Sequence, residues 1–114
     1  MSDEDRKRRI ARNEATFRNV NERIEALNRG IAAISDGTLH IVCECGDLGC
    51  SDQISLDIPT YERVRADSAC FVVRPGHDDP SAEHVVERTP DYDVVRKDPG
   101  APQAIAEALD PRRT

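Results

Sequence analysis

The chain contains very few aromatic residues. Its 114 residues include no Trp, two Tyr and two Phe; only 38% are hydrophobic, and 33% are charged. This composition allows one domain with a small core. Burial in such a core offsets the conformational entropy lost on folding by only a small margin. At this size a bound metal or an oligomeric interface is the usual supplement. The shortage of aromatic rings also argues against a stacking platform for single-stranded nucleic acid.

Long hydrophobic runs and a strongly basic balance are missing too. No stretch approaches the roughly 18 apolar residues of a membrane span, and the charged residues 1–9 are not followed by the apolar segment of an export signal. We therefore expect a soluble, cytoplasmic protein with reduced thiols. The net charge of −6 argues against broad binding to nucleic acid or to membranes. The one basic run, residues 6–9, directly follows three acidic residues and is interpreted as a solvated helix start.

Familiar catalytic motifs are absent from the sequence. It has no P-loop, no dinucleotide-binding glycine pattern, no G-x-S-x-G elbow and no zinc-deaminase motif pair. We therefore expect a protein that is not an enzyme. The enzymatic alternative is a zinc hydrolase, which needs an open metal position and a base such as Glu44 or Asp47. These carboxylates are more simply interpreted as turn residues and solvated charge.

What the chain does have is a cluster of thiols. Cys43, Cys45 and Cys50 form a C-x-C-x4-C motif that includes Gly46 and Gly49. In an extended strand, residues two apart point to the same face, so Cys43 and Cys45 can reach one ion. The two glycines permit the positive φ angles and close backbone approach that a metal-binding loop needs. Three thiolates suit zinc or another soft ion.

A structural zinc ion takes four ligands, so one more must come from elsewhere in the chain. His77 is the preferred candidate because it lies in a Pro-Gly loop that is free of strand pairing. Cys70 is more naturally a small buried residue at the start of a strand, and His84 and His40 are further candidates. A water ligand, a disulfide and three unligated thiols remain alternatives. We therefore predict a Zn²⁺ site with these ligands: Cys43, Cys45, Cys50 and His77.

Apolar residues ahead of the thiols recur at intervals of three and four. This spacing predicts a long amphipathic helix over residues 10–35. It also fits the a and d positions of a coiled coil, although the flanking positions carry few complementary charges. Two interpretations remain open: the helix packs on its own domain, or it pairs with another helix, in a homodimer or in a protein partner. The predicted contact face, called the apolar seam below, consists of Phe17, Val20, Ile24, Leu27, Ile31 and Ile34.

After a helix stop at residues 35–37, the pattern changes to short β-like runs at residues 39–43, 54–58, 70–73, 84–87 and 92–96. These runs predict a small antiparallel sheet, with a short helix that begins at Pro59 inserted into it. The predicted fold class is α+β, with a long N-terminal amphipathic helix followed by a zinc-stabilised sheet. The predicted boundaries are a charged flexible N-terminus over 1–9, the helix over 10–35, a zinc-binding β-rich domain over 38–97, and a short helix and tail over 98–114.

Two resemblances rest on these motifs. The C-x-C-x4-C spacing is similar to the post-SET zinc loop of protein lysine methyltransferases, in which three cysteines share a zinc with a ligand from elsewhere. This likeness is confined to residues 43–50, so it does not imply methyltransferase activity. More broadly, residues 13–24, 43–50, 61–65, 75–77 and 85–88 resemble a family of small uncharacterised actinobacterial-type proteins with a leading helix and a CxCx4C zinc knuckle. That family implies no established activity, but its Pro-Gly-His element, matched at 75–77, supports His77 as the fourth ligand.

Together these features predict a non-enzymatic zinc-binding protein that acts as a protein interaction or regulatory module. In this reading the zinc is structural, and the partner binds the helix. The alternative function is a thiol-based redox or metal-responsive sensor, because clustered thiolates release zinc when they are oxidised.

Overall fold

The computed structural model of the chain describes residues 3–31 and 37–112. It confirms an α+β fold with a long N-terminal helix and antiparallel strands. In chain order the elements are α1 (Asp3–Ile31), β1 (Thr38–Val42), β2 (Gln53–Asp57), α2 (Ile58–Arg65), β3 (Cys70–Val73), β4 (Glu83–Arg88), β5 (Asp93–Lys97) and α3 (Ala101–Ala108). Ile34 and the predicted helix end at residue 35 lie outside the described residues, as does the side chain of Ile31.

Helix α1 begins at Asp3, earlier than the predicted residue 10. The charged segment over residues 3–9 is therefore helical and is not a separate flexible N-terminus. Its first turn carries Asp3, Glu4 and Asp5, and negative charge at this end of a helix interacts favourably with the helix dipole. The basic run that follows continues the same helix, as the interpretation of a solvated helix start requires.

Within residues 3–31 and 37–112, five strands form two sheets, whereas the sequence predicted one sheet. β1 and β2 pair as an antiparallel hairpin in which Ile41 lies opposite Ile54. The other sheet is antiparallel with strand order β3-β5-β4. The two sheets do not join through Val42, because its backbone N–H and C=O both bond to the side chain of Asn21 in α1. A helix side chain thus takes the place of a further strand at this edge.

The apolar core lies where the two sheets, α2 and α3 meet. Alternation in β2 buries Ile54 and Leu56, and all four residues of β3 are buried. The short helix α2 begins after its N-cap Asp57, whose side chain accepts a hydrogen bond from the backbone of Thr60. The largest fully buried apolar side chains are Tyr61, Phe71, Leu39, Ile41 and Ile54.

Helix α1 packs on this core mainly through a polar face, although Ile24 of the apolar seam also packs against the core. In the seam, Val20 is 41% exposed and Leu27 is 75% exposed. The buried face has the same three-to-four spacing and consists of Ala11, Glu14, Ala15, Arg18, Asn21 and Glu25. The helix thus packs on its own domain, one of the two arrangements left open by the sequence, but mainly through different residues. Among the described residues, no helix is both long and apolar enough to cross a membrane.

The buried polar side chains of α1 have partners across the interface. Arg18 donates hydrogen bonds to the carbonyl oxygens of Ser68 and Ala106, at 2.7 and 2.8 Å, and its guanidinium lies 4.6 Å from the centre of the Phe71 ring. Because burying an unpaired charge or amide would destabilise the fold, such bonds make a polar helix face compatible with burial.

Candidate metal centre

Four side chains converge where the β1–β2 connection meets the loop between β3 and β4. Their ligand atoms, the sulfurs of Cys43, Cys45 and Cys50 and an imidazole nitrogen of His77, all lie within 4.8 Å of one another. His77 Nδ1 lies 3.6 Å from Cys43 Sγ and 3.7 Å from Cys50 Sγ. Thiolates bound to a tetrahedral zinc ion lie about 3.8 Å apart, given zinc–sulfur bonds of about 2.3 Å. The four groups are therefore spaced so that one metal ion could bind all of them.

The loop that carries the thiols is closed by its own backbone. Cys43 N–H donates to the carbonyl oxygen of Asp52, and Cys50 N–H donates to that of Asp47. The side chain of Asp47 also accepts a hydrogen bond from Gly49 N–H at 2.8 Å, which forms a local turn. Asp47 is thus a turn residue, as predicted. These bonds bring Cys50 close to Cys43 and Cys45, the two thiols that precede the turn.

Gly46 has a φ of +78°, and it lies against α1. A β-carbon at this position would lie 2.9 Å from both Glu14 Cγ and the carbonyl oxygen of Ile10. In addition, Asn13 Nδ2 donates to the Gly46 carbonyl oxygen at 3.1 Å. The thiol loop is therefore packed on the helix as well as on the sheets.

Glu44, between two of the thiols, is almost completely buried. Its backbone N–H donates to the Val72 carbonyl oxygen, and its Oε1 accepts from Val72 N–H at 2.9 Å. Its Oε2 accepts from Asn21 Nδ2 at 2.8 Å. The interpretation of Glu44 as solvated charge is wrong, because its carboxylate joins the loop to both β3 and α1. Burial raises the pKa of Glu44 above its usual range.

The loop that carries His77 is held by buried and backbone groups. His77 N–H donates to the Arg74 carbonyl oxygen, and Gly76 N–H donates to the buried carboxylate of Asp93 at 3.3 Å. The other imidazole nitrogen of His77, Nε2, lies 3.8 Å from Asp52 Oδ2. Histidines that bind metals commonly have a carboxylate beside the nitrogen that is not bound to the metal. Asp52 was not among the predicted site residues, and its only sequence signal is its position shortly after Cys50.

The surroundings of the thiols disfavour bare thiolates. Burial raises the pKa of the Cys43 and Cys45 thiols, and the neighbouring thiols raise that of Cys43 further. A divalent cation would compensate for both effects by stabilising the thiolates. One donor is already in place for Cys43, since the backbone N–H of Arg74 lies 3.2 Å from its sulfur. Three sulfurs and one imidazole are a donor set that suits zinc.

The structure places the three alternative fourth ligands in other contacts. Cys70 is buried at the start of β3, where it interacts with Asp67. His84 Nδ1 lies 3.0 Å from Asp98 Oδ1, and His40 Nδ1 lies 3.0 Å from Ser55 Oγ. His77 is the candidate that lies beside the three clustered thiols.

No protein-family model matches the chain, and comparisons with curated proteins and with solved structures give no match either. The resemblances to the post-SET zinc loop and to small bacterial zinc-knuckle proteins therefore remain predictions.

Proposed function

We propose that this protein is a non-enzymatic zinc-binding module in which zinc is structural and the fold presents a surface to a protein partner. The convergence of Cys43, Cys45, Cys50 and His77 is the observation that carries the proposal. A tetrahedral ion bound by four protein side chains has no free position for a water or a substrate, which is typical of structural sites.

The position of the site supports a structural role. Its ligands come from the β1–β2 connection and from the β3–β4 loop, and Gly46 lies against α1. Zinc would thus connect the β1–β2 connection to the β3–β4 loop, beside the contact of Gly46 with α1. Structural zinc contributes about 10–16 kcal/mol in small peptide domains, which is comparable with the total stability of a typical domain, about 5–15 kcal/mol. We therefore expect folding to depend on the metal.

The surroundings of the site argue against a hydrolase. Of the two carboxylates considered as general bases, Glu44 has both oxygens bonded to Asn21 and Val72. Asp47 accepts a hydrogen bond within its own turn. With four protein ligands as well, neither carboxylate would face a metal-bound water.

The metal content of the purified chain tests the proposal. We expect about one zinc ion per chain in the wild type, loss of this zinc in Cys50→Ser, and no loss in Cys70→Ser, the matched control outside the cluster. A strong chelator should also lower the melting temperature of the wild type and reduce its circular dichroism. A zinc-free wild type, or chelation that changes neither signal, would contradict the proposal.

A redox sensor is the second candidate, favoured by the unequal exposure of the thiols. Cys43 is buried, but Cys45 and Cys50 are half-buried, and Cys45 borders an open cleft between α1 and the loop at residues 78–80. Hydrogen peroxide could oxidise these two thiolates to a disulfide; they would lose two electrons, and the peroxide would take these and two protons to become two water molecules. Peroxide titration with a zinc-sensitive dye tests this candidate. Absence of zinc release at micromolar peroxide would leave zinc purely structural.

A further inference from the structure

Helix α1 has an apolar surface that its own domain leaves partly uncovered. Val20 and Leu27 are 41% and 75% exposed, and Phe17 and Ile24 beside them are half-buried. These four residues, called the outer stripe, follow the spacing of three and four that one helix presents to another. Ile24 also contacts the core, so the stripe continues from the core to the solvent.

The two sides of the outer stripe differ. On one side, Asn21 bonds to the backbone of Val42, so the helix is closed there by its own domain. Asn13, one heptad before Val20, bonds to the Gly46 carbonyl oxygen at the N-terminal end of the stripe. On the open side lie Arg12 and Arg23, both exposed and separated by about three helical turns, or about 16 Å. Neither arginine forms an ion pair within the described part of the chain.

The residues between these arginines on the open side are uncharged. Thr16 and Asn19 are both exposed, and no carboxylate lies on the flank between Arg12 and Arg23. The flank is therefore basic in a chain whose net charge is −6. A partner that packs on the outer stripe would place one of its sides against these two guanidinium groups.

We propose that the outer stripe is the docking site for an acidic amphipathic helix of a protein partner. Apolar residues of the partner would pack on Val20 and Leu27, and carboxylates along one side of its seam would face Arg12 and Arg23. This inference rests on the proposed function and specifies the chemistry of the partner. Of the apolar seam predicted from the sequence, the proposed docking site includes the four residues of the outer stripe.

Charge argues against a second copy of this chain as the occupant. If two copies packed stripe to stripe in antiparallel orientation, the open flanks would meet and bring arginines together. In parallel orientation, each open flank would meet the side that the other copy's domain covers. The like charges would destabilise the antiparallel pair, and the covered side would obstruct the parallel pair. A separate acidic helix has neither difficulty.

The test uses the full-length, zinc-loaded chain and two synthetic peptides of about 21 residues, or roughly six helical turns. Both peptides have leucine at the a and d positions; one carries glutamate at the flanking positions and the other lysine. We expect the glutamate peptide to bind at least about tenfold more tightly in fluorescence anisotropy. Leu27→Asp should abolish this binding, and Arg12→Glu with Arg23→Glu should reverse the preference between the peptides. Arg8→Glu is the control, because Arg8 is exposed on α1 but borders the cavity beside α3.

Equal binding of the two peptides, or no binding of either, would overturn the inference. So would a dimer in sedimentation that Leu27→Asp dissolves, or binding only to phosphatidylserine vesicles, since these outcomes assign the stripe to another occupant. Zinc content and circular dichroism are measured on the same samples. A folded, zinc-loaded chain that fails to bind contradicts the docking site alone, whereas a zinc-free chain contradicts the proposed function.

Discussion

Gly46 and Glu14 lie so close that a β-carbon on the glycine would come within 2.9 Å of Glu14 Cγ. Gly46 also has a φ of +78°, a conformation that other residues adopt only with strain. The same glycine is part of the thiol loop, so the helix and the candidate metal centre share one contact. A change at this contact is expected to affect both.

Gly46→Ala should therefore destabilise the protein more than a positive φ alone explains. Gly37 is the matched control, because its φ is also +78° and a β-carbon there would have no neighbour within 4 Å. We expect Gly37→Ala to cost about 1 kcal/mol from backbone strain, and Gly46→Ala a further 1–3 kcal/mol or so from overpacking. Urea unfolding of the zinc-loaded variants measures both. Equal losses in the two variants would show that α1 does not press on the loop.

Asp52 is expected to tune metal affinity through His77. Its carboxylate lies 3.8 Å from His77 Nε2, where it can orient the imidazole that would bind the ion through Nδ1. Removing such a partner typically lowers affinity about 10- to 100-fold. Asp52→Asn should therefore weaken zinc binding by about tenfold in competition with a chelating dye, while Asp78→Asn, next to His77 in sequence, should change it little. Indistinguishable zinc affinities of the two variants would show that Asp52 has no role in metal binding.

The clustering of the candidate ligands could be predicted because three of the four are close together in the sequence. Cys43, Cys45 and Cys50 lie within one short loop, and the Pro-Gly context favoured His77. Asp52 could not be predicted, since its relation to His77 depends on how two separate loops are placed. The burial of Glu44 could not be predicted either, because its partners Asn21 and Val72 are distant in sequence and come together only in the fold.

The elements were predicted more accurately than their packing. Each predicted strand is present, because short runs of β-branched and apolar residues between turns are a direct signal. The face through which α1 packs on its own domain could not be predicted, because helical periodicity marks the apolar residues whether they face the core or a partner. Here Ala11 and Ala15 permit close approach, and Arg18 and Asn21 donate hydrogen bonds to backbone carbonyl groups that the sequence does not reveal.

Glu44→Ala should loosen both the thiol loop and α1. The change leaves the backbone N–H of Val72 without its acceptor and removes one of the two acceptors of Asn21 Nδ2, which keeps only the Val42 carbonyl oxygen. An unsatisfied buried donor costs about 1–3 kcal/mol, so we expect a total loss of about 2–4 kcal/mol together with weaker zinc retention. Glu107→Ala, at an exposed position of α3, is the control and should change stability by less than about 0.5 kcal/mol. A loss in Glu44→Ala no larger than in the control would contradict the role of this carboxylate.

Glu14 is buried in a cluster with Lys97 and Glu83. Lys97 Nζ lies 2.7 Å from Glu14 Oε1 and 2.8 Å from Glu83 Oε1, so one cation faces two carboxyl groups. Burial raises the pKa of Glu14 to about 9; Glu83 raises it too, and Lys97 opposes the change. In the folded protein Glu14 thus holds its proton at neutral pH.

Unfolding exposes Glu14, and its pKa returns to about 4.5. Between these two values the unfolded chain binds fewer protons than the folded one, so the contribution of Glu14 to stability falls as pH rises and levels off above about pH 9. The slope is at most about 1.4 kcal/mol per pH unit. Glu14→Gln keeps the shape and a partner for Lys97 but cannot titrate. Urea unfolding is measured at about pH 6 and about pH 8, which both lie within this window. From the lower pH to the higher, the wild type should lose stability relative to Glu14→Gln. Parallel pH profiles would mean that Glu14 is already ionised in the folded protein and that Lys97 compensates for its burial.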